Sequence, residues 1–483
     1  MNTDYRDLQS DAVRPDSAPL CVDLDGTLVK TDLLWESALR LLAHNPLYLF
    51  LLPVWLLSGK AFLKEEIARR VFLEPSLLPY NREFLNYLCQ EHAAGRRLIL
   101  VTASNQRLAE SVANYLGVFK EVIASDASMN MRGQTKADCL LARFGHQGFD
   151  YAGNSKIDLP VWRACRQALI VGNRYKEVRG KDVRCFPYER HFVRQFIRLL
   201  RPHQWTKNLI LFVPILTAHQ LGDVSVVKQA ATAFLAFSLC ASGLYVLNDL
   251  LDLDADRHHS SKKYRALAAG DLPLSFGVAL VPLLVVGGAM VSWVLPPRFF
   301  WVLVGYAVIT MAYSMRIKRI VLLDAFCLAG LYTLRLVAGS EATMIPLSSW
   351  LLMFSMFIFL SLALAKRFQE LQALRHQDQS NARGRGYYAS DLELVASLGS
   401  GSGYLAVLVL ALYVNSEQVR ALYQFPLRLL FICPLILYWI SRIWLTAHRG
   451  KLPADPVLFA LTDRVSYFVG AVAVIFIWLA TGI

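Results

Sequence analysis

The chain has 483 residues, of which 55% are hydrophobic and 18% are charged, and its formal net charge is +13. Its mean hydropathy is +0.38, and the apolar residues are concentrated after residue 205. This composition excludes an ordinary soluble globular protein and favours a membrane protein. The eight cysteines form no CxxC pair, so neither a disulfide framework nor a zinc site is indicated, and reduced thiols in a cytosol-facing protein fit best.

The N-terminal part of the chain has the pattern of an α/β domain. Residues 1–18 contain acidic side chains and no apolar stretch, which predicts a disordered lead-in and not a signal peptide. Short apolar strands are predicted near residues 20–24, 96–104, 118–123, 149–155 and 168–173, with helical patterns between them. This alternation predicts a parallel sheet whose ligand site lies at the carboxyl ends of its strands.

Two acidic side chains follow the first predicted strand. Asp23 and Asp25 are two residues apart in DLDGT, an arrangement suited to a carboxylate nucleophile and a neighbouring acid in phosphoryl transfer. The alternative is an Asx turn before Gly26, which is common for a lone Asp-Gly pair. On this motif, residues 19–185 resemble the haloacid dehalogenase superfamily of phosphohydrolases, which implies that Asp23 is the nucleophile and Asp25 the general acid.

Later motifs extend this resemblance. It implies that the Thr102 hydroxyl in LILVT contacts the phosphoryl group and that Lys136 in GQTKADCL neutralises an aspartyl-phosphate. It also implies that Asp158 binds Mg²⁺ together with Asp23 and Asp25. Asn154 stands where the family usually has a metal-binding carboxylate, and this departure weakens the predicted metal site.

Two further segments of the N-terminal part are amphipathic or apolar. The stretch PLYLFLLPVWLL at 46–57 is too short to span a bilayer, and it is interpreted as a cap segment on the membrane surface or as a buried cap helix. The stretch at 188–202 predicts an interfacial amphipathic helix, the alternative being an ordinary surface helix. Its apolar face comprises Phe192, Phe196, Leu199 and Leu200.

The predicted domains are a lead-in (1–18), an α/β domain (19–187) with a helical cap at about 32–94, a linker (188–204) and a membrane domain (205–483).

The membrane domain is predicted to be an all-α bundle of about nine spans. The apolar segments lie at 208–222, 227–247, 275–295, 298–314, 321–340, 347–365, 403–415, 425–446 and 464–482. Their connections alternate between basic and weakly charged. The positive-inside rule therefore predicts a multi-pass protein of the cytoplasmic membrane with the N-terminal domain in the cytoplasm and the C-terminus outside.

An acidic cluster ends the second predicted span. In NDLLDLDAD, the residues Asp249, Asp252 and Asp256 recur at spacings of three and four, which places them on one helix face beside Asn248. Carboxylates beside a membrane span need a compensating partner, and such oxygen ligands suit Mg²⁺ together with substrate phosphates. The alternative is a solvated loop between two spans.

This cluster and the basic run after it carry a second resemblance. NDLLDLDAD matches the NDxxDxxxD motif of the UbiA superfamily of polyprenyl transferases, and the resemblance extends over about residues 195–483. DRHHSSKKYRALAAG matches the DRxHPxKxxRPLAxG motif of that superfamily except at Ser260 and Ala266, which replace its two prolines. RPHQWTKNLILFVPILTA, AYSMRIKRIVLLD, LRLVAG and LALAKRFQEL are similar to the decaprenyl-phosphate phosphoribosyltransferase family. That family transfers 5-phosphoribose from phosphoribosyl diphosphate to a polyprenyl phosphate.

A missing motif favours the narrower resemblance. Aromatic prenyltransferases of the superfamily usually carry a second DxxxD motif, whereas here Asp324 is followed four residues later by Leu328. Arg335 lies inside an apolar run, where a charge usually faces a functional interior. The side chains predicted to bind substrate are Lys207, Asn248, Lys262, Arg265, Tyr313, Lys318, Lys366 and Arg367.

The sequence therefore predicts a bifunctional membrane enzyme that transfers phosphoribose to polyprenyl phosphate and then removes the 5-phosphate of the lipid product. Mg²⁺ is the predicted cofactor, the bilayer and the two substrates are the predicted partners, no nucleic acid is expected, and homo-oligomer formation is left open. One alternative is an aromatic prenyltransferase using a prenyl diphosphate. Another is a lipid or phosphate transporter with a degenerate phosphatase-like sensor, which predicts an inverted repeat that the sequence does not show.

Overall fold

A computed structural model of the chain describes residues 18–126, 129–172, 175, 178, 182–187, 191–376, 386–453 and 455–481. The predicted lead-in lies outside the described residues, except for its last residue. The same holds for parts of the segments 168–173 and 188–202.

The described N-terminal residues form a six-stranded, all-parallel sheet in the order β3-β2-β1-β4-β5-β6. Alternate side chains of β1 enter two different hydrophobic cores, with Leu20 and Val22 in one and Cys21 in the other, because successive strand residues point to opposite faces. The five predicted strands are confirmed, with shifted ends, and β6 is additional. The strands are β1 (Leu20–Val22), β2 (Leu98–Asn105), β3 (Glu121–Ser125), β4 (Asp150–Gly153), β5 (Gln167–Val171) and β6 (Asp182–Phe186).

The described residues of the N-terminal part also form eight α-helices. They are α1 (Leu33–His44), α2 (Tyr48–Leu57), α3 (Lys60–Ala68), α4 (Arg82–Ala93), α5 (Gln106–Leu116), α6 (Gln134–Phe144), α7 (Leu159–Ala164) and α8 (Phe192–Leu200). Helix α2 buries Trp55 but exposes Phe50 by 75% and Leu57 by 89%, so the alternative of a buried cap helix is wrong. In α8 the rings of Phe192 and Phe196 both contact Phe276.

The rest of the described chain is helical. Its helices are α9 (Val213–Thr217), α10 (Val224–Leu251), α11 (Leu253–His258), α12 (Leu274–Ser292), α13 (Pro297–Met315), α14 (Leu323–Thr343), α15 (Ser349–His376), α16 (Leu392–Val414), α17 (Glu417–Leu422), α18 (Ile432–His448), α19 (Pro456–Thr462) and α20 (Arg464–Thr481). Among the described residues, eight helical segments are long and apolar enough to cross a membrane. These segments contain α10, α12 to α16, α18 and α20.

The first predicted span, 208–222, is not a single long helix. A 3-10 helix (Pro202–Phe212) is followed by the short α9, and Pro214 lies at the start of α9. Proline has no backbone N–H and fits only the first turn of an α-helix, so the apolar run is divided at this point. The eight long apolar helices of the described chain agree with the prediction of about nine spans to within one, and the membrane topology stays a prediction.

The chain forms two compact units that do not follow the predicted boundary at residue 204. The first unit comprises residues 1–199 and 246–280, and the second comprises residues 200–245 and 281–483. The acidic cluster and the basic run after it therefore belong to the same unit as the α/β domain.

Candidate functional site

A buried charge network lies at the carboxyl end of β1. The Lys136 ammonium, in the first turn of α6, donates to Asp23 Oδ1 at 2.8 Å and to the Tyr151 hydroxyl at 2.9 Å. Tyr151 in turn donates to Asp158 Oδ1 at 2.9 Å, and the side chains of Asp23, Lys136 and Asp158 are all less than 11% exposed. The structure thus brings together three residues that the sequence predicted for one site.

Asp25 lies in a second set of hydrogen bonds at the same edge of the sheet. Its Oδ1 accepts from the Leu33 backbone N–H at 2.8 Å, and its Oδ2 accepts from the Ser104 hydroxyl at 2.6 Å. The Thr102 hydroxyl accepts from the Ser104 N–H at 3.0 Å. Asp25 therefore links the start of α1 to the end of β2, and the Thr102 side chain is buried.

Asn154 lies directly against the DLDGT loop. A methyl group added at Gly26, whose φ is +72°, would lie 2.1 Å from Asn154 Nδ2, so any side chain at this left-handed position would displace Asn154. Asp158 Oδ2 accepts from the backbone N–H groups of Asn154 and Ser155. The fourth motif is thus folded against the first, with an amide where the family usually has a carboxylate.

The electrostatics of this site fit a bound cation. Burial raises the pKa of Asp23 to about 6, although Lys136 opposes the shift. Burial, with Asp32 nearby, raises the pKa of Asp25 to about 7. The negative charge of these carboxylates is therefore only partly compensated by the protein, and Mg²⁺ would stabilise it. Among the described residues, however, no group of three or more acidic, His or Cys side chains has metal-binding geometry, so both metal sites stay predictions.

The acidic cluster of the membrane part lies at the end of α10 and in α11. The Arg265 Nη1 donates to Asp249 Oδ1 at 3.0 Å and to Asp256 Oδ2 at 2.6 Å. Burial raises the pKa of Asp256 and Arg265 opposes the shift. One positive charge thus contacts two of the three predicted metal ligands, and Asp252 is half-buried. Asp249 and Asp256 therefore lie close enough to share one guanidinium.

In the second compact unit, the predicted cation Arg367 is buried in an internal network. Its Nε lies 2.5 Å from Asp324 Oδ2, and both side chains are at most 1% exposed. Its Nη atoms donate to Glu370 at 2.5 Å and to the Tyr313 hydroxyl at 3.1 Å. The Tyr387 hydroxyl donates to Asp324 Oδ1 at 2.7 Å. The lone aspartate of the incomplete second motif is therefore paired with an arginine.

The other predicted substrate-binding residues lie in both units. Lys207 is buried and pairs with Asp455, and Lys318 and Lys366 of the same unit are half-buried. In the first unit Lys262 is exposed and Asn248 is half-buried. Arg335 is 4% exposed and donates to the Asn208 side chain, the Leu331 carbonyl and the Tyr306 hydroxyl. These contacts are uncharged, and aromatic rings surround the guanidinium.

Two residues of the α/β site were missed by the sequence analysis. Ser104 lies two positions after Thr102 in β2, so strand alternation places both on one face and could have indicated it. Tyr151 bridges Lys136 and Asp158. Its position in β4, just before the fourth motif, is a weaker signal than that of Ser104, because aromatic side chains are common in buried strands.

Comparison with known proteins matches both halves of the chain to families. The sequence profile of the UbiA prenyltransferase family matches residues 209–462, and that of the haloacid dehalogenase-like hydrolases matches residues 20–163. An uncharacterized protein of Sinorhizobium fredii is 37% identical over 94% of this chain and 89% of its own length. The nodulation protein NoeC of Azorhizobium caulinodans is 38% identical over 54% of this chain and 85% of its own length.

Other similarities cover a smaller share of this chain than the first relative does. The decaprenyl-phosphate phosphoribosyltransferase of Mycolicibacterium smegmatis is 35% identical over 38% of this chain, and the match spans 59% of that enzyme. A solved structure of a UbiA homolog from Archaeoglobus fulgidus, bound to DMAPP and Mg²⁺, aligns with a TM-score of 0.45 at 16% identity. That alignment covers 60% of this chain and 99% of the homolog.

Proposed function

The chain belongs to the UbiA prenyltransferase family and carries an N-terminal haloacid dehalogenase-like domain, and on this premise we propose that it is a bifunctional membrane enzyme. Its membrane part transfers 5-phosphoribose from phosphoribosyl diphosphate to a polyprenyl phosphate. Its α/β domain then removes the 5-phosphate of the lipid product. The similarity to decaprenyl-phosphate phosphoribosyltransferases supports the first step, and the fused hydrolase-like domain supports the second.

The contact that supports phosphoribosyl transfer is the Asp324–Arg367 ion pair. An enzyme that holds a prenyl diphosphate through two acidic motifs needs carboxylates on both. Here Asp324 is ion-paired with Arg367 and accepts a hydrogen bond from Tyr387, and the fourth position after it is Leu328. The cluster of Asp249, Asp252 and Asp256 is left to hold the metal of the donor.

The transfer step needs charge stabilisation more than proton transfer. An oxygen of the lipid phosphate forms a bond to the anomeric carbon of the ribose while the bond to pyrophosphate breaks. Mg²⁺ held by Asp249, Asp252 and Asp256 would supply positive charge to the departing pyrophosphate. Arg265 already contacts two of these carboxylates and so lies where it can bind the same phosphates.

The hydrolytic step uses the network around Asp23. The Asp23 carboxylate attacks the phosphorus atom and Asp25 donates a proton to the leaving 5-oxygen, after which water hydrolyses the aspartyl-phosphate. Lys136, at 2.8 Å, stabilises the negative charge. The raised pKa of Asp25, about 7, is suited to an acid that must carry a proton near neutral pH.

The test is to incubate the purified protein in nanodiscs with phosphoribosyl diphosphate, polyprenyl phosphate and Mg²⁺. Mass spectrometry of the lipid is expected to show a polyprenyl-phosphoryl ribose without its 5-phosphate. A parallel reaction contains a prenyl diphosphate and 4-hydroxybenzoate. Prenylated hydroxybenzoate, with no ribosylated lipid, would overturn the proposal in favour of an aromatic prenyltransferase.

A further inference from the structure

The acidic cluster of the transferase is attached to the α/β domain by ion pairs within the first compact unit. Arg40 of α1 contacts Asp254 of α11 at 2.8 Å, but both side chains are about one-third exposed. Such exposed pairs contribute little to stability. The pair between Glu36 of α1 and Arg257 of α11 differs, because these side chains are only 2% and 6% exposed.

The geometry of the buried pair fixes the arginine at three points. Arg257 Nη1 donates to Glu36 Oε2 at 3.0 Å and Nη2 donates to Oε1 at 2.6 Å, which is a bidentate contact. The Nε donates to the Ala268 carbonyl at 2.9 Å. A planar guanidinium held on two sides by a carboxylate and a carbonyl has little freedom to rotate.

This arginine lies beside the predicted metal ligands. It follows Asp256 directly in α11, and Ala268 lies near the end of the basic run that contains Arg265. Holding Arg257 to Ala268 therefore fixes both ends of the segment in which Arg265 contacts Asp256. Close packing adds to this constraint, because a methyl group at Gly270 would lie 2.8 Å from Lys30 Cβ.

The glutamate is in turn connected to the phosphatase-like site through α1. The Thr31 hydroxyl donates to Glu36 Oε1 at 2.7 Å. The first residue of α1, Leu33, donates its N–H to Asp25 Oδ1 at 2.8 Å. A continuous series of contacts thus runs from Asp25 through α1 and Glu36 to Arg257 and the acidic cluster.

We infer that Glu36, a residue of the α/β domain, is a positioning residue for phosphoribosyl transfer: through Arg257 it orients Asp256 toward the metal and the donor diphosphate. The inference rests on the proposed function of the membrane part. It assigns the α/β domain a role in transfer that is independent of its own hydrolytic chemistry. Partners that orient metal ligands typically change metal affinity 10- to 100-fold when they are mutated, in order of magnitude.

The test compares Glu36→Gln with wild type in nanodiscs by two measurements. The first is the Mg²⁺ and phosphoribosyl diphosphate dependence of transfer, where we expect the KM to rise by about tenfold with a smaller change in kcat. The second is Mn²⁺ binding, measured from the EPR signal of the free ion. The Mn²⁺ site that is lost in Asp249→Asn is assigned to the acidic cluster. The Mn²⁺ affinity of that site is expected to fall by a similar factor in Glu36→Gln.

Matched variants separate positioning from misfolding. Glu83→Gln removes an exposed glutamate of α4 in the same unit, and it is expected to leave both measurements unchanged. In the double variant Glu36→Gln/Arg257→Gln, the loss should not exceed that of the worse single variant, because both act through one contact. Thermal unfolding of each variant checks that it is folded.

The outcomes distinguish this inference from the proposed function. If wild type transfers no phosphoribose, the proposed function fails, and the Mn²⁺ measurement still tests whether Glu36 orients the cluster. If wild type is active and Glu36→Gln has unchanged Mn²⁺ affinity and KM, the inference is overturned. It is also overturned if the two single variants have additive effects.

Discussion

Arg367 and Asp324 form an ion pair that is almost completely inaccessible to solvent, with 2.5 Å between Nε and Oδ2. Asp324 stands where a second acidic motif would begin, so its contact decides whether it acts as a counter-ion or as a metal ligand. Tyr387 donates to its other carboxylate oxygen. The residue is therefore held by the protein itself, which supports a structural role.

A structural role for Asp324 predicts a loss of stability when it is neutralised. Removing one partner of a buried ion pair leaves an uncompensated charge and costs about 3–5 kcal/mol. Asp324→Asn is therefore expected to lower the thermal unfolding temperature in detergent, and the double variant Asp324→Asn/Arg367→Gln should recover part of the loss. A stable Asp324→Asn protein that has lost Mn²⁺ binding would show instead that Asp324 is a metal ligand.

Neutralising an aspartate of the acidic cluster should remove activity and leave the protein folded, in contrast to Asp324→Asn. Asp249→Asn or Asp252→Asn is expected to abolish transfer because each removes a charge that binds the metal in the transition state. The fold should survive Asp249→Asn because Arg265 keeps its contact with Asp256 at 2.6 Å. Transfer rates and unfolding temperatures of both variants check this. Near wild-type transfer by both would contradict the metal-site assignment.

The sequence predicted those parts of the site that consecutive or regularly spaced residues encode. Asp23 and Lys136 were expected in one site from motifs over a hundred residues apart, and their 2.8 Å contact confirms that they meet. The Glu36–Arg257 contact could not be predicted, because it joins two charged residues far apart in the chain and neither belongs to a pattern that requires the other. A contact of this kind depends on how α11 packs, which periodicity does not encode.

The membrane part shows a similar division. Long apolar runs predicted eight of the helices, whereas the run at 208–222 misled because hydropathy does not register the break at Pro214. Arg367 was predicted as a substrate contact from its basic character. Its burial against Asp324 depends on the packing of α14 against α15, which brings together two residues that lie over forty positions apart in sequence.

The Gly26 turn predicts a steric effect that is specific to the α/β site. Gly26→Ala would place a methyl group 2.1 Å from Asn154 Nδ2, at a φ of +72°. The left-handed backbone alone costs about 1–2 kcal/mol, and displacement of Asn154 adds to it. We expect loss of 5-phosphate removal with transfer retained, measured on the lipid product. Gly26→Ala/Asn154→Ala should restore part of the stability; equal unfolding temperatures for the single and double variants would argue against the clash.

The exposed apolar surface of α2 predicts contact with the lipid bilayer. Helix α2 has ten residues, none of them charged, so it is too short to span but suited to lie in the membrane interface. A spin label at Leu57→Cys, in a Cys89→Ser background in nanodiscs, is expected to be more accessible to oxygen than to a water-soluble nickel complex. The control label at Glu83→Cys should show the reverse. Equal accessibility at the two positions would contradict lipid contact. So would protection of the Leu57→Cys label from the nickel complex that depends on protein concentration.

The last prediction tests whether the two halves perform consecutive steps. Asp23 is positioned by Lys136 and Thr27. In the proposed hydrolysis it is the nucleophile, and its side chain forms the aspartyl-phosphate. Asp23→Asn should therefore yield a lipid product that keeps its 5-phosphate, as read by mass spectrometry. The transfer rate should be unchanged, because Asp23 contributes to neither the acidic cluster nor the Glu36–Arg257 pair.

Asn154 adds a second, graded measurement to this test. An amide oxygen can coordinate Mg²⁺ but donates less charge than a carboxylate, so hydrolysis by wild type should need elevated Mg²⁺. Asn154→Asp places a carboxylate beside the DLDGT loop and is expected to lower the Mg²⁺ concentration for half-maximal 5-phosphate removal, while the Mg²⁺ dependence of transfer stays fixed. If wild type, Asp23→Asn and Asn154→Asp all accumulate only the 5-phosphorylated lipid, the α/β domain does not catalyse the second step. Its buried Asp23–Lys136 pair would then serve a different phosphate ester or the fold alone.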